Sequence, residues 1–350
     1  MKTNVKHMSR VFACFCLVLF SSCAIHEWPS VEKQVPVVLT VKYNLAELDW
    51  VEYEYKEDAP DVGLKKQDSK INDEIVHGKL NYTVRMIPLL TKAGRDYSNY
   101  HEYKVTRDVA ESQEFGIAME VPPGVYDVAV WVDYLVGDTE ESYYNTDDFA
   151  EIKLNGQHEG NNEYHDAFRG IGTVVLVGNI VDDNPIEVTV EMARPLARYE
   201  LVTTDLAEFV ANETARKGVD VEGGEDLNLD DYKVMVHYVG YYPDTYSIFT
   251  DKPVDSSTGV FFESTLKQLD ANRASLGFDH AFVSESGSAV TVQMAIYDKD
   301  GSEVAATSPL EINLKRNCHS IMQGSFLMSR APGGIQVNPE YEGDNNIIIP

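Results

Sequence analysis

The sequence predicts an all-β protein of two Greek-key β-sandwiches in tandem, with one short helix in the second. Three observations carry that expectation. Side chains alternate between apolar and polar at a period of two in seven separate segments, turn residues punctuate the intervals, and a helical period appears once. The chain has 350 residues. The roughly 325 left after a leader are long for a single core, which suggests two domains.

The chain opens with Lys2, Lys6 and Arg10, an apolar run from Val11 to Phe20, and small Ser21 and Ser22 before Cys23. That is the pattern of a secretory signal over 1–22, too short to cross a bilayer, which takes about 20 apolar residues. Small residues directly before a cysteine resemble a bacterial lipobox, with Phe20 where the pattern prefers Leu and Leu19 one place early. Cleavage between Ser22 and Cys23 followed by acylation of Cys23 would leave 23–35 as a lipidated linker. Of four cysteines, Cys14 and Cys16 depart with the leader. An acylated Cys23 then leaves Cys318 without an intramolecular partner, so the fold rests on its core and Cys318 reads as a small buried hydrophobe.

The first sandwich is expected over 36–195. Val37, Leu39, Val41 and Tyr43 alternate with Val38, Thr40, Lys42 and Asn44; Leu80, Tyr82, Val84 and Met86 alternate with Asn81, Thr83 and Arg85. Each reads as a strand with one buried face. VYDVAVWVDYLV from Val125 puts Tyr126, Val128, Val130, Val132 and Tyr134 on one side, and the preceding PPG at 122–124 predicts a hairpin with FGIAMEV. Ile186, Val188, Val190 and Met192 continue the pattern. Pro195, in MARPLARYEL, cannot donate to a ladder and marks the boundary.

The second sandwich is expected over 196–350, with strands near 232–239, 290–297 and 310–315. In TDLAEFVANETARKG, Asp205 and Glu208 make a capping box, Leu206, Phe209 and Val210 share a face, and Gly218 closes the helix. The acidic stretch 219–231 that follows reads as a solvated loop.

Three places invite a chemical reading. His158 and Glu159 precede His165 and Asp166, but the histidines stand seven apart in a Gly- and Asn-rich loop, which is not the one-turn spacing of a zinc helix. DKDGSE at 298–303 opens like a calcium loop with Asp298, Asp300 and Gly301, yet lacks the remaining ligands and reads as a hairpin turn. HYVGYYPDTYSIF gathers Tyr238, Tyr241, Tyr242, Tyr246 and Phe249, and aromatic faces can stack on sugar rings; Tyr241, Tyr242 and Tyr246 are the candidate ligand contacts. No GxSxG, Cys/His pair or glycine-rich phosphate loop occurs. The expectation is a protein with no catalytic residues, metal or cofactor.

The formal charge is −28, and loss of the three basic leader residues takes it to about −31. Such a surface repels phosphate backbones and anionic lipid, which argues against nucleic acid and against a polybasic membrane contact. Attachment to a membrane would have to come from acyl chains, several of which together give a stable anchor.

The lipobox, the two all-β halves, VTVEMARPLARYELVTTDL at their junction, NNEYHDAFRGIG before it, INLKRNCHSIMQGSFL and the terminal YEGDNNIIIP together resemble the fimbrillin-type lipoproteins of Bacteroidales. The resemblance implies two transthyretin-like sandwiches, transport to the outer-membrane surface through acyl chains on Cys23, and pairing with other fimbrial subunits by β-strand addition. It also implies that shaft subunits are cut by an arginine-specific protease after their first strand segment. Here the sequence departs from the shaft pattern, because seven lysines and no arginine lie between Cys23 and Val84, and the first arginine, Arg85, sits inside a strongly alternating strand. An anchor or accessory subunit that keeps its lipid is the expectation. A glycan-binding lipoprotein of an outer-membrane uptake system, using the exposed aromatics on a glycan or host surface, is the alternative.

Overall fold

The structure, a computed structural model, describes residues 34–45, 49–55, 64–65, 76–90, 94–109, 114–176, 184–217 and 227–329. The chain is all-β, and its described strands form two sandwiches and a small sheet between them.

In the first sandwich, strand β1 (Val35–Lys42) lies between β12 (Ile186–Glu191), to which it is parallel, and β7 (Glu114–Val121), to which it is antiparallel. The facing sheet runs β11 (Ala167–Leu176), β8 (Gly124–Tyr134), β4 (Lys79–Leu90), with β6 (His101–Asp108) on the far side of β4 and the short β5 (Gly94–Arg95) at its end. Val37, Leu39 and Val41 from one sheet and Tyr82, Val84, Val130 and Val132 from the other form the buried core. Each such side chain contributes about 1.5–3 kcal/mol by leaving water. Phe168 docks into the same core with its ring 4.9 Å from that of Tyr43.

PPG does not make the expected hairpin. β7 pairs with β1 and β8 pairs with β4 and β11, so residues 122–124 form the corner by which the chain crosses from one sheet to the facing one. Turn chemistry fixes the reversal but not which strand receives the next one.

The second sandwich opposes a six-stranded sheet to a five-stranded one. The first runs β18 (Lys267–Gln268), β19 (Ala274–Phe282), β13 (Leu196–Thr203), β23 (Cys318–Gly324), β2 (Asp49–Glu54), β3 (Leu64–Lys65). The second runs β17 (Phe261–Thr265), β14 (Lys233–Tyr238), β20 (Ser288–Tyr297), with β21 (Glu303–Ala306) and β22 (Leu310–Leu314) both paired to β20. Helix α1 (Leu206–Lys217) lays Leu206 and Phe209 on this core, the Phe209 ring 5.1 Å from that of Tyr232. Asp205 precedes the helix as expected, yet its carboxylate accepts the Thr203 hydroxyl and the N–H groups of Leu327 (3.4 Å) and Met328 (2.9 Å), tying the end of the described chain to the helix start.

Two features cross the division at 195/196. Strand β2 comes from the first half of the sequence but pairs with β23 in the second sandwich. A four-stranded sheet, β9 (Tyr144–Asn145), β10 (Ile152–Leu154), β15 (Tyr241–Ser247), β16 (Lys252–Thr258), combines both halves. Strands β14 and β15 continue one another, as do β16 and β17, so the pair forms one ribbon that passes from this sheet into the second sandwich. It bends at Gly240 (φ +104°) and Gly259 (φ +71°), backbone states that glycine adopts without steric cost. The small sheet also explains a departure from simple alternation. Asn81, Thr83 and Arg85 on β4, expected to face solvent, are as buried as Tyr82, Val84 and Met86. Among the described residues no helix is long and apolar enough to cross a membrane.

Candidate functional site

The distinctive chemistry lies in the seam between the sandwiches. Its floor is the outer face of β4 and β8, where Ile87, Ala129 and Trp131 meet Tyr144, Phe149, Ile152, Leu196, Tyr246 and Phe282 in a third apolar cluster. Five of the eleven arginines lie along it. Arg85 stacks between the rings of Tyr100 (4.1 Å) and Phe149 (4.2 Å) and donates to Glu102 (2.9 Å) and to the carbonyls of Thr146 (2.7 Å) and Asp147 (3.1 Å). A planar fork with five donors suits such a site, where a lysine would leave carbonyls unmet.

Arg194 joins four segments. It donates to Asp166 (2.9 Å), to the Asn317 side chain (2.6 Å) and to the Leu45 carbonyl (2.6 Å), with its guanidinium 4.6 Å over the Phe168 ring. Burial raises the Asp166 carboxyl, and the Arg194 charge offsets only part of that. Arg198 forks onto Glu163 (2.6 and 2.9 Å) and lies 4.2 Å over Phe278. Arg169 and Arg316 converge on Asp251, Arg316 also reaching the Val283 carbonyl at 3.1 Å. Burial would raise the Asp251 carboxyl, but the hydrogen bonds of Arg316 and Tyr246 and the two arginine charges hold it below the ordinary range.

Four of the nine histidines gather beside these arginines: His158, His165, His280 and His319. His158 bonds Asp279 through Nε2 at 2.7 Å, and Asp279 also accepts the Tyr238 hydroxyl (2.5 Å) and the His280 N–H (2.7 Å). The Tyr199 and Tyr238 hydroxyls share a further bond of 2.6 Å. Burial pushes His165 down to about 4, and burial together with the Arg198 charge holds His280 well below the usual imidazole range. Asp133, by contrast, is pushed up to about 8 by burial, with the Tyr144 N–H (3.2 Å) and the Ser142 and Trp131 side chains opposing the shift.

The aromatic candidates separate. Tyr241 is 74% exposed, but Tyr242 and Tyr246 are 3% and 0% exposed. Tyr242 donates to the His280 carbonyl at 2.8 Å, and Tyr246 stacks on Phe282 and bonds Asp251. Both are thus corrected to core residues. The ladder shifts register between Tyr242 and Thr245 and again between Thr245 and Tyr246, so Tyr242 enters the core of the second sandwich, Tyr246 enters the seam cluster, and of the three only Tyr241 is exposed. Tyr238 is buried too, and Phe249 is stacked on Tyr97 at 3.7 Å.

The His158–Asp166 stretch divides likewise, His158 toward Asp279 and Asp166 toward Arg194, and the described residues contain no group of three or more His, Cys, Asp or Glu able to hold a metal. In DKDGSE, Asp298 accepts the N–H groups of Asp300 (3.1 Å) and Ser302 (2.9 Å) and the Arg216 guanidinium (2.9 Å), closing the β20–β21 hairpin. Cys318 is buried, its thiol pushed up to about 11 by burial. Ser22 and Cys23 lie outside the described residues. Nothing in the sequence marks the seam arginines as a group, since Arg85, Arg169, Arg194, Arg198 and Arg316 fall in four separate stretches without a shared motif. The available signal was arginine, rather than lysine, within or next to strand-like runs.

The model of a family of unknown function, DUF6562, matches residues 37–350. No curated protein matches the chain. Among solved structures it is similar to the fimbrial anchor protein Mfa2 from Porphyromonas gingivalis, at 14% identity and TM-score 0.35, covering 78% of this chain and 82% of that one. It is also similar to a C-terminally truncated tip fimbrial protein, Mfa3, from the same organism, at 11% identity and TM-score 0.37, covering 85% and 96%.

Proposed function

The chain belongs to the DUF6562 family, and we propose that it is a non-catalytic surface lipoprotein, an anchor or accessory subunit of an adhesive fibre. Acyl chains on Cys23 hold it at the outer membrane, and other subunits of the fibre join it by β-strand addition. The observation that carries this reading is the way the segment after Cys23 enters the fold. Its first described strand, β1, is an interior strand of the first sandwich, and the next described, β2, is paired in the second. The first arginine beyond Cys23, Arg85, is 3% exposed and held by Glu102 and two backbone carbonyls. An arginine-specific protease has no accessible bond there with which to part the fold from its lipid.

The mass and N-terminus of the protein from native cells test the reading. An intact acylated Cys23 is expected, whereas a chain beginning beyond about residue 50, past β1, would overturn it. Cys23→Ala is expected to release the protein from the outer membrane. The 74% exposed Tyr241 supports a second reading, a glycan contact. A polysaccharide-dependent shift in affinity electrophoresis, abolished by Tyr241→Ala, would favour it.

A further inference from the structure

Two strands that are neighbours in the first sandwich part company to hold a third in the second. β1 and β12 run parallel over six residue pairs, from Val37 with Ile186 to Lys42 with Glu191. β1 then leads through 43–48 into β2, and β12 leads through 192–195 into β13. β2 and β13 lie on opposite sides of β23, the last described strand, and both are parallel to it, Asp49 to Glu54 against Cys318 to Gln323 and Arg198 to Thr203 against His319 to Gly324. The result is a fork whose handle is β1/β12 and whose tines grip β23.

The root of the fork is tied. Met192 donates to the Lys42 carbonyl at 2.8 Å, and Arg194, just before one tine, reaches the Leu45 carbonyl just before the other. Asn317, immediately before β23, donates its N–H to Leu196 (3.0 Å), accepts from the Asp49 N–H (3.1 Å) and takes Arg194 on its side chain. His319 touches both tines, its ring 4.4 Å from Trp50 on β2 and its Nε2 3.4 Å from Glu200 on β13.

Geometry decides what such a joint resists. When two parallel strands are loaded from the N-terminal end of one and the C-terminal end of the other, the force runs along the strands and every ladder bond bears it together. When an edge strand is peeled sideways, the bonds fail one after another. Here the described chain enters through β1, flanked on both sides, and leaves through β23, also flanked on both sides, and the stretch after it that is tied to Asp205. We infer that the fork is a load-bearing joint, carrying tension between the two ends of the chain as shear, first between β1 and β12 and then between β23 and its two tines. This deepens the reading of a tethered subunit and rests on it for its purpose, but the mechanics are a property of the strands alone.

Single-molecule stretching of the acyl-free mature chain tests the joint. Handles at the two ends load the fork. Handles on Lys104→Cys and Lys267→Cys, exposed positions on the outlying strands β6 and β18, load the same molecule across its sheets. At one loading rate the end-to-end axis is expected to unfold at a force at least about two-fold higher, since forced unfolding reports the barrier along the pulled direction. Equal or lower force along that axis overturns the inference. Asn317→Gly removes the bond to Arg194 while keeping a residue suited to the left-handed backbone at φ +54°. It is expected to lower the end-to-end force and leave the transverse force unchanged; an equal fall in both would mean general destabilisation and would likewise overturn the joint. Release or retention of Cys23→Ala decides the tether separately and alters neither force.

Discussion

On strand β4, Val84 points into an aliphatic core and Arg85, one residue on, points into the seam, and both are buried. The same alternation on β8 sets Val130 inside and Trp131 outside. The two faces bury comparable side chains by different rules. A core of Val, Leu and Tyr asks for apolar volume and tolerates exchange within it. The seam asks for particular donors at particular carbonyls, and a buried charge that loses its partner is left in a medium that penalises it. The difference teaches where this chain stores its geometry: the cores hold each sandwich together, and the seam fixes how the two are joined.

The largest expected effect breaks the seam at its busiest residue. Arg194→Ala strips the counter-charge from buried Asp166 and the donors from Asn317 and the Leu45 carbonyl. Denaturant unfolding should record a loss of about 3–5 kcal/mol. Arg194→Lys should recover only part of it, because one ammonium cannot reach three directions in a plane. In the core, Leu39→Ala should cost about 2–5 kcal/mol and Leu39→Met less than about 1.5 kcal/mol. A seam that accepts the conservative exchange as readily as the core does would erase the contrast.

Acidity sharpens it next, because the cores contribute little titration and the seam much. His165, held at about 4 against 6.5 in the unfolded chain, gives stability that is full above 6.5 and is lost as the pH falls toward 4; His280, also held low, acts in the same sense. Asp133, at about 8 against 3.8, does the reverse, since the folded form keeps a proton that the unfolded chain releases, and its contribution declines as the pH rises from 3.8 to 8. Between 4 and 6.5 the Asp133 and His165 slopes oppose, and from 6.5 to 8 Asp133 acts alone among the three. Asp133→Asn should therefore gain on the wild type by up to about 1.4 kcal/mol per pH unit over that upper range, read from urea midpoints. The smallest expected effect is at the surface, where Tyr241→Ala should change stability by no more than about 0.5 kcal/mol.

Much of the fold is legible in the sequence. β1, β4, β8, β12, β14, β20 and β22 lie where alternation puts them, and α1 begins after Asp205. What alternation conveys is a face, not a partner. It could not say that β7 turns a corner instead of pairing with β8, nor that DWVEYE forms a strand 269 residues away from its neighbour, as the pairing of Asp49 with Cys318 requires. The seam was harder still. Its arginines were visible, but their meaning depends on Asp166, Asp251 and Asn317 arriving from elsewhere in the chain, and the tyrosines that seemed a ligand surface were needed inside.

The place of β2 also bears on how the protein is made. β2 is synthesised early, yet of the two ladders that make it an interior strand only the one to β3 can form at once; the one to β23 cannot exist until residues 318–324 have followed. Such distant pairing is slow, because a long loop must close before any contact rewards it. A chain interrupted before residue 318 would carry β2 and β13 as open edges facing an empty slot. The first sandwich can form while the chain is still emerging. The second must wait for β23, the last described strand, and so its completion reports that the chain has arrived at least as far as residue 324.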